Sequence, residues 1–189
     1  LVNADYRLPS LDYEGLLTIC LNLTRDMEEV YKLYRLMVFN VLIGNKDDHA
    51  KNFSFILKNK EWKLSPAYDM TYIFNTGGHL PETMHCLMMR GKLFSWTKED
   101  ALSLAKENGI RKAESIIAEV AEAIKKFRSF AEKYRAEERW ICAIEQTLCA
   151  NLDSWGLNNP IQSISLTLGG HQLSAIRVEQ TYKGNFHLL

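Results

Sequence analysis

The spacing of apolar residues changes several times along the chain, and each change marks a predicted element. Leu11, Gly15, Leu16, Ile19, Cys20 and Leu23 form a stripe at helical spacing, which predicts a first helix capped by Ser10 and running to about Asn22. Asp26 followed by Glu29 has the spacing of a capping box. Val30, Leu33, Tyr34, Met37, Val38, Val41 and Leu42 then give a second helix a wide apolar face, with Gly44 placed to end it. There the hydrophobic period stops. Residues 45–52 read NKDDHAKN, a polar loop held against a rigid helix, where functional groups often sit.

Short apolar runs at 53–57 and 62–64 flank a turn-like stretch and predict a β-hairpin. Pro66 takes the chain out of regular pairing just before Tyr68 and Asp69. Residues 72–91 carry no period, and Gly77 and Gly78 permit tight backbone geometry there. Thr97 with Asp100 caps a helix ending near Gly109, and two longer helices are predicted over 113–134 and 136–152. Their apolar positions include Ile116, Ile117, Val120, Ile124, Phe127 and Phe130, then Trp140, Ile141, Ile144 and Leu148. Beyond them the pattern alternates around Gly169 and Gly170, which predicts a terminal hairpin, with 184–189 either a further strand or loose chain. The expectation is an α+β fold, mainly α-helical, with a body over 1–157 and a β-rich extension over 158–189 packed on the same domain.

Composition narrows the function classes. Lys plus Arg and Asp plus Glu number 23 each, so no overall basic field attracts nucleic acid or an anionic membrane, and neither partner is expected. No window approaches a membrane span, and the first ten residues lack the pattern of a signal peptide. None of the four cysteines forms a CxxC pair; Cys142 and Cys149, seven apart on one helical face, are expected as small buried hydrophobes in a reducing cytoplasm. His79 and His85 have no recognised ligand spacing and receive no role. The chain starts with Leu rather than Met, which suggests a piece of something longer.

One arrangement points to chemistry. Phosphoryl transfer from ATP needs a carboxylate to orient the attacking hydroxyl and oxygen ligands for magnesium. Protein kinases place the catalytic Asp and a metal-binding Asn five positions apart in one loop, with a second metal-binding Asp after a short hairpin. Asp47 and Asn52 are five apart, and Asp69 follows the predicted hairpin. The blander reading of these residues is a turn whose side chains bond to its own backbone.

These motifs closely resemble those of HipA-like kinases, whose catalytic loop reads N-x-D-x-H-x-K-N after an apolar helix and whose metal-binding Asp lies in P-x-Y-D. This chain has LIGNKDDHAKN at 42–52 and SPAYD at 65–69, and the resemblance extends from about Tyr31 to Leu157. It implies a protein-kinase-like C-lobe with a small catalytic β-hairpin, acting in an ATP- and Mg-dependent serine/threonine protein kinase. By position, Asp47 is the catalytic base and Asn52 and Asp69 are the metal ligands. His49, Ala50, Lys51, Asn52, Tyr68 and Asp69 lie along the nucleotide phosphates. His49 is read as a brace on a backbone carbonyl or on Asp47, Lys51 as a phosphate contact or a solvated lysine, and Asp48 as a surface residue or a support for its neighbours. The family background implies a bacterial, cytoplasmic toxin of a toxin–antitoxin pair, with an aminoacyl-tRNA synthetase as protein substrate and a DNA-binding antitoxin as partner.

Departures qualify the resemblance. Asn45-Lys46 stands where ordinary protein kinases have H-R, and Asp69-Met70-Thr71 where they have D-F-G. No GxGxxG loop, phosphate-cradling serine loop or strand lysine precedes the second helix, so the ATP-gripping N-lobe is expected from sequence outside this chain. The competing classes are a small-molecule kinase of the aminoglycoside or choline kinase type, which shares a His two residues after the catalytic Asp, and a non-catalytic partner-binding lobe.

Overall fold

Helix α2, Met27–Ile43, is the axis of the structure because every position of its predicted apolar face is buried. Val30, Leu33, Tyr34, Met37, Val38, Val41 and Leu42 are all exposed by 8% or less. Each fully buried side chain of this size contributes about 1.5–3 kcal/mol. Helix α1, Tyr13–Thr24, packs along α2, as do α4, Ala113–Ile124, and α6, Glu138–Ser154. This computed structural model describes residues 11–72 and 84–158, and further on four short strands between 167 and 188. The chain divides into two compact units, Leu1–Leu157 and Asn158–Leu189.

Local chemistry explains the helix ends and corrects three expectations. The cap of α1 is Asp12, whose Oδ1 accepts the Gly15 N–H at 2.6 Å; Ser10 lies outside the described residues. Asp26 does cap α2, accepting the Glu28 N–H at 3.0 Å, but Glu29 does not complete a capping box. Its carboxylate is buried instead, taking Lys32 Nζ at 2.7 Å on Oε1 and the backbone N–H of Leu64 at 2.9 Å on Oε2. The predicted helix over 113–134 breaks at 125–126, where Lys126 N–H bonds Ala123 O and tightens the turn, leaving α4 and α5, Phe127–Lys133.

The hairpin joins β1, Phe55–Lys58, to β2, Glu61–Leu64, with Phe55 opposite Leu64. Asn59 and Lys60 form its two-residue turn with φ of 52° and 67°, the left-handed pair that matches the strand twist of a tight hairpin. Helix α3, Lys98–Glu107, begins with the expected capping box of Thr97 and Asp100. In the second unit β3, Thr167–Leu168, pairs antiparallel with β4, His171–Gln172, and β5, Val178–Gln180, with β6, Phe186–Leu188. Among the described residues no helix is long and apolar enough to cross a membrane.

The apolar stripes of α5 and α6 are less buried than their periodicity implies. Phe130 and Trp140 are exposed, and so are Cys142 and Cys149, contrary to the expected burial of that pair. Ile141, Leu148 and Leu152 already supply the inward face of α6, and the cysteines fall on the flank beside it. Cys142 lies against Glu138 and Arg128.

Two measurements test this packing. Glu29→Ala strands the Leu64 N–H and is expected to lower unfolding free energy by about 1–3 kcal/mol in urea titration. Glu29→Gln keeps an acceptor and should cost less; equal stability of all three proteins would mean that β2 is anchored elsewhere. Burial pushes the Cys20 thiol up to about 11, so its reactive thiolate forms only well above neutrality. Iodoacetamide at pH 8 should label exposed Cys142 well before Cys20, read by peptide mapping, and comparable rates would contradict the buried position of Cys20.

Candidate active site

The site begins where α2 stops. Gly44 takes φ of 75°, a left-handed conformation that favours glycine, and its N–H bonds the carbonyls of Asn40 and Val41. Asn151 of α6 donates to the Leu42 carbonyl at 3.1 Å, satisfying another of the helix's terminal acceptors. Asn45 is tied back to the helix twice, by its N–H on Asn40 O at 2.9 Å and its Nδ2 on Asn40 Oδ1 at 3.1 Å. The chain then runs without regular structure to a single 3-10 turn, Ala50–Asn52, closed by Asn52 N–H on His49 O.

Asp47 and Asp48 face opposite environments. The Asp47 side chain is 43% exposed, whereas Asp48 is fully buried. Asn52, itself buried, donates Nδ2 to the Asp47 carbonyl at 2.8 Å and so fixes the loop across five residues. That bond commits the amide nitrogen and leaves Oδ1 as the atom suited to a cation. His49 Nε2 stands 3.8 Å from Asp47 Oδ1, beside the carboxylate but beyond hydrogen-bond length. The thiol of Cys86 approaches the same oxygen at 4.0 Å. Burial, then the charges of Asp48 and Asp47, push that thiol up to about 12, so it faces Asp47 as a neutral S–H.

Of the two readings of Asp48, a surface residue or a support for its neighbours, burial rules out the first. Its Oδ2 accepts from the Tyr13 hydroxyl at 2.7 Å and lies 3.0 Å from His85 Nδ1. Its Oδ1 accepts the backbone N–H groups of Cys86 at 2.8 Å and Leu87 at 3.3 Å. Four groups from two distant segments therefore converge on one carboxylate. Burial, and next the charge of Asp48, hold the Tyr13 phenol well above its ordinary value, keeping it a hydroxyl donor. His85, to which the sequence assigns nothing, is buried and stacks on Trp96 with centroids 4.2 Å apart. Backbone bonds from Tyr13 to Met88 O and from Met88 to Leu11 O stitch the same two segments together. Partners 35 to 39 residues away leave no local signal, although Tyr13 at helical spacing from Leu16 and Leu17 marks a buried position.

The hairpin delivers the other half of the site. Ser65 extends the strand pairing through its N–H on Ser54 O at 2.8 Å, and the two serine hydroxyls meet at 2.9 Å. The Tyr68 hydroxyl then donates to the Lys51 carbonyl at 2.6 Å, tying SPAYD to the polar loop. Asp69 follows, exposed and with φ of 53°. Of the expected site residues, Asp47, His49, Lys51, Asn52 and Tyr68 are thus linked by these contacts, and Ala50 lies in the turn between them. Asp69 is the residue that follows Tyr68 in the chain. Among the described residues no three His, Cys, Asp or Glu side chains cluster as a metal cage. An amide and a carboxylate suit magnesium, which takes few protein ligands and completes its shell with water and phosphate. Gly77, Gly78 and His79 lie outside the described residues.

Comparison with known proteins bears on this arrangement. Over 109 residues the chain is 29% identical to "Putative kinase Y4mE" of Sinorhizobium fredii, covering 53% of this chain and 25% of that protein. The chain therefore spans a quarter of that relative's length. Its fold is similar to that of a chain in the solved complex of the Shewanella oneidensis toxin–antitoxin proteins HipA and HipB with operator DNA. There the TM-score is 0.63 at 16% identity, over 77% of this chain and 36% of the other. The model of the HipA-like C-terminal domain matches residues 2–127, across both the polar loop and the SPAYD segment. By that match, this chain belongs to the HipA-like C-terminal domain family.

Proposed function

We propose that this chain is the catalytic C-terminal lobe of an ATP- and magnesium-dependent kinase that phosphorylates a serine or threonine hydroxyl of a protein. The observation that carries the reading is the pairing of two bonds: Asn52 Nδ2 to Asp47 O, and Tyr68 OH to Lys51 O. The first fixes the loop that bears Asp47, and the second ties that loop to the segment bearing Asp69. Asp47 presents an exposed carboxylate to an incoming hydroxyl, orients its oxygen and accepts its proton as the new oxygen–phosphorus bond forms and ADP leaves. Asn52 Oδ1 and the Asp69 carboxylate would hold magnesium, which neutralises charge on the phosphates. His49 stays beside Asp47 as a brace, and Lys51 would meet the phosphates as a point charge.

The adenine and the remaining phosphate grip would come from an N-lobe elsewhere in the full-length protein, consistent with a match to a quarter of the rhizobial relative. A toxin restrained by an antitoxin is the biological setting that the HipA-like family membership and the HipA–HipB complex support. An aminoacyl-tRNA synthetase as substrate, and a cytoplasmic location, belong to the same proposal.

In the full-length protein Asp47→Asn is expected to cut phosphoryl transfer about 10²–10⁴-fold. Its melting temperature should stay within about 2 °C of the wild type, since the substitution alters an exposed group. Transfer of radiolabelled phosphate within a few-fold of wild type would remove Asp47 from the mechanism. Asp69→Asn keeps a residue that tolerates left-handed backbone but loses the carboxylate charge. Nucleotide titration with and without magnesium should show most of the metal dependence gone; an undiminished dependence would mean that other groups hold the ion.

A further inference from the structure

We propose that Asp48 is a positioning residue for the transfer reaction, setting the Asp47 carboxylate by fixing both the backbone beside it and the thiol that touches it. The inference rests on the kinase reading above and assigns a role to a side chain that meets neither substrate nor nucleotide.

The geometry is a closed circuit. Asp48 shares a peptide bond with Asp47, so anchoring its side chain fixes the plane from which the Asp47 side chain departs. Oδ1 of Asp48 also holds the backbone of Cys86 and Leu87, and Cys86 returns its Sγ to within 4.0 Å of Asp47 Oδ1. Asn52 grips the carbonyl of that same Asp47–Asp48 peptide. Asp47 is thus held through its own peptide, through Asp48 and through Cys86, while its side chain stays open to an acceptor. Oδ2 of Asp48 faces the Tyr13 hydroxyl and His85 Nδ1, which anchor the circuit to α1 and to the residues before Cys86. Such an arrangement matters for catalysis because a misplacement of about 1 Å in a reacting group can cost on the order of 100-fold in rate. A carboxylate serving stability alone would need no contact that returns to the catalytic side chain.

The test uses the full-length protein with radiolabelled ATP, magnesium and casein as a protein acceptor, well below the melting temperature of every variant. Asp48→Asn keeps an oxygen for the Cys86 and Leu87 N–H groups but presents an amide to Tyr13 and His85. Tyr13→Phe removes one of the four contacts and leaves the carboxylate, which keeps the question answerable if Asp48→Asn folds poorly. Tyr34→Phe is the control, since its hydroxyl bonds Ala101 O, a group in α3 that takes no part in the circuit. The expected result is a fall in kcat of about tenfold or more for Asp48→Asn and a few-fold for Tyr13→Phe, with KM for ATP within about threefold. Tyr34→Phe should lose stability and keep its kcat. Deuterium uptake at 45–52 and 84–89 should rise in Asp48→Asn and stay unchanged in Tyr34→Phe. Wild-type kcat in Asp48→Asn, or an equal loss in Tyr34→Phe, would overturn the positioning role. An inactive wild-type protein would instead remove the kinase reading and the positioning role with it, a result separable from the others because it appears before any substitution.

Discussion

A carboxylate with no exposure to water sits where this structure can least easily tolerate a mistake. Removing an ionised group from water costs several kcal/mol unless its oxygens are satisfied by well-placed donors. Asp48 meets that condition with the Tyr13 hydroxyl and two backbone donors, beside the imidazole of His85. The dependence runs both ways. The amides of Cys86 and Leu87 would lack an acceptor without the carboxylate, and the carboxylate would be stranded without them. The polar loop, the start of α1 and the segment around Met88 can therefore take this arrangement only together.

The same logic extends along α2. Its apolar face builds the core, while its two ends carry polar fixtures that build the site. At the first turn Glu29 turns inward and captures the end of the hairpin's returning strand through Leu64. At the last turn Gly44 reverses the chain and Asn151 closes the helix from α6. Rigidity in the helix thus becomes rigidity in the loop, because each end is held by directional bonds rather than by packing alone. The hairpin then needs only Tyr68 to bring its exit against Lys51.

Adjacent residues of the same type come to do opposite things. Asp47 and Asp48 carry the same side chain, yet one is 43% exposed and the other is sealed from solvent. Neighbours in a loop without regular structure thus serve the surface and the core respectively. Cys86 belongs to the same division of labour: its backbone answers to Asp48 and its side chain to Asp47.

Much of this was legible in the sequence, for a physical reason. Helical periodicity predicted the face of α2, the Thr97–Asp100 box and Gly44, because helix faces and caps are encoded within a few neighbouring residues. The order of Asp47, Asn52 and Asp69 around a hairpin was visible for the same reason, since loop spacing and turn chemistry are local. What stayed hidden was every partner chosen across the chain. Nothing near Asp48 announces Tyr13 or His85, and nothing near Glu29 announces Leu64, so the surface stayed open as one of two readings of Asp48, and Glu29 was read as half of a capping box. Nor could the spacing of Cys142 and Cys149 say whether their side of α6 would meet the core, because a stripe fixes only which residues lie together. The sequence alone therefore determined most of the elements, the core face of α2 and the position of the polar loop that carries the candidate residues. Tertiary structure decided which carboxylate turned inward, because burial of a charge depends on donors that only folding brings within reach.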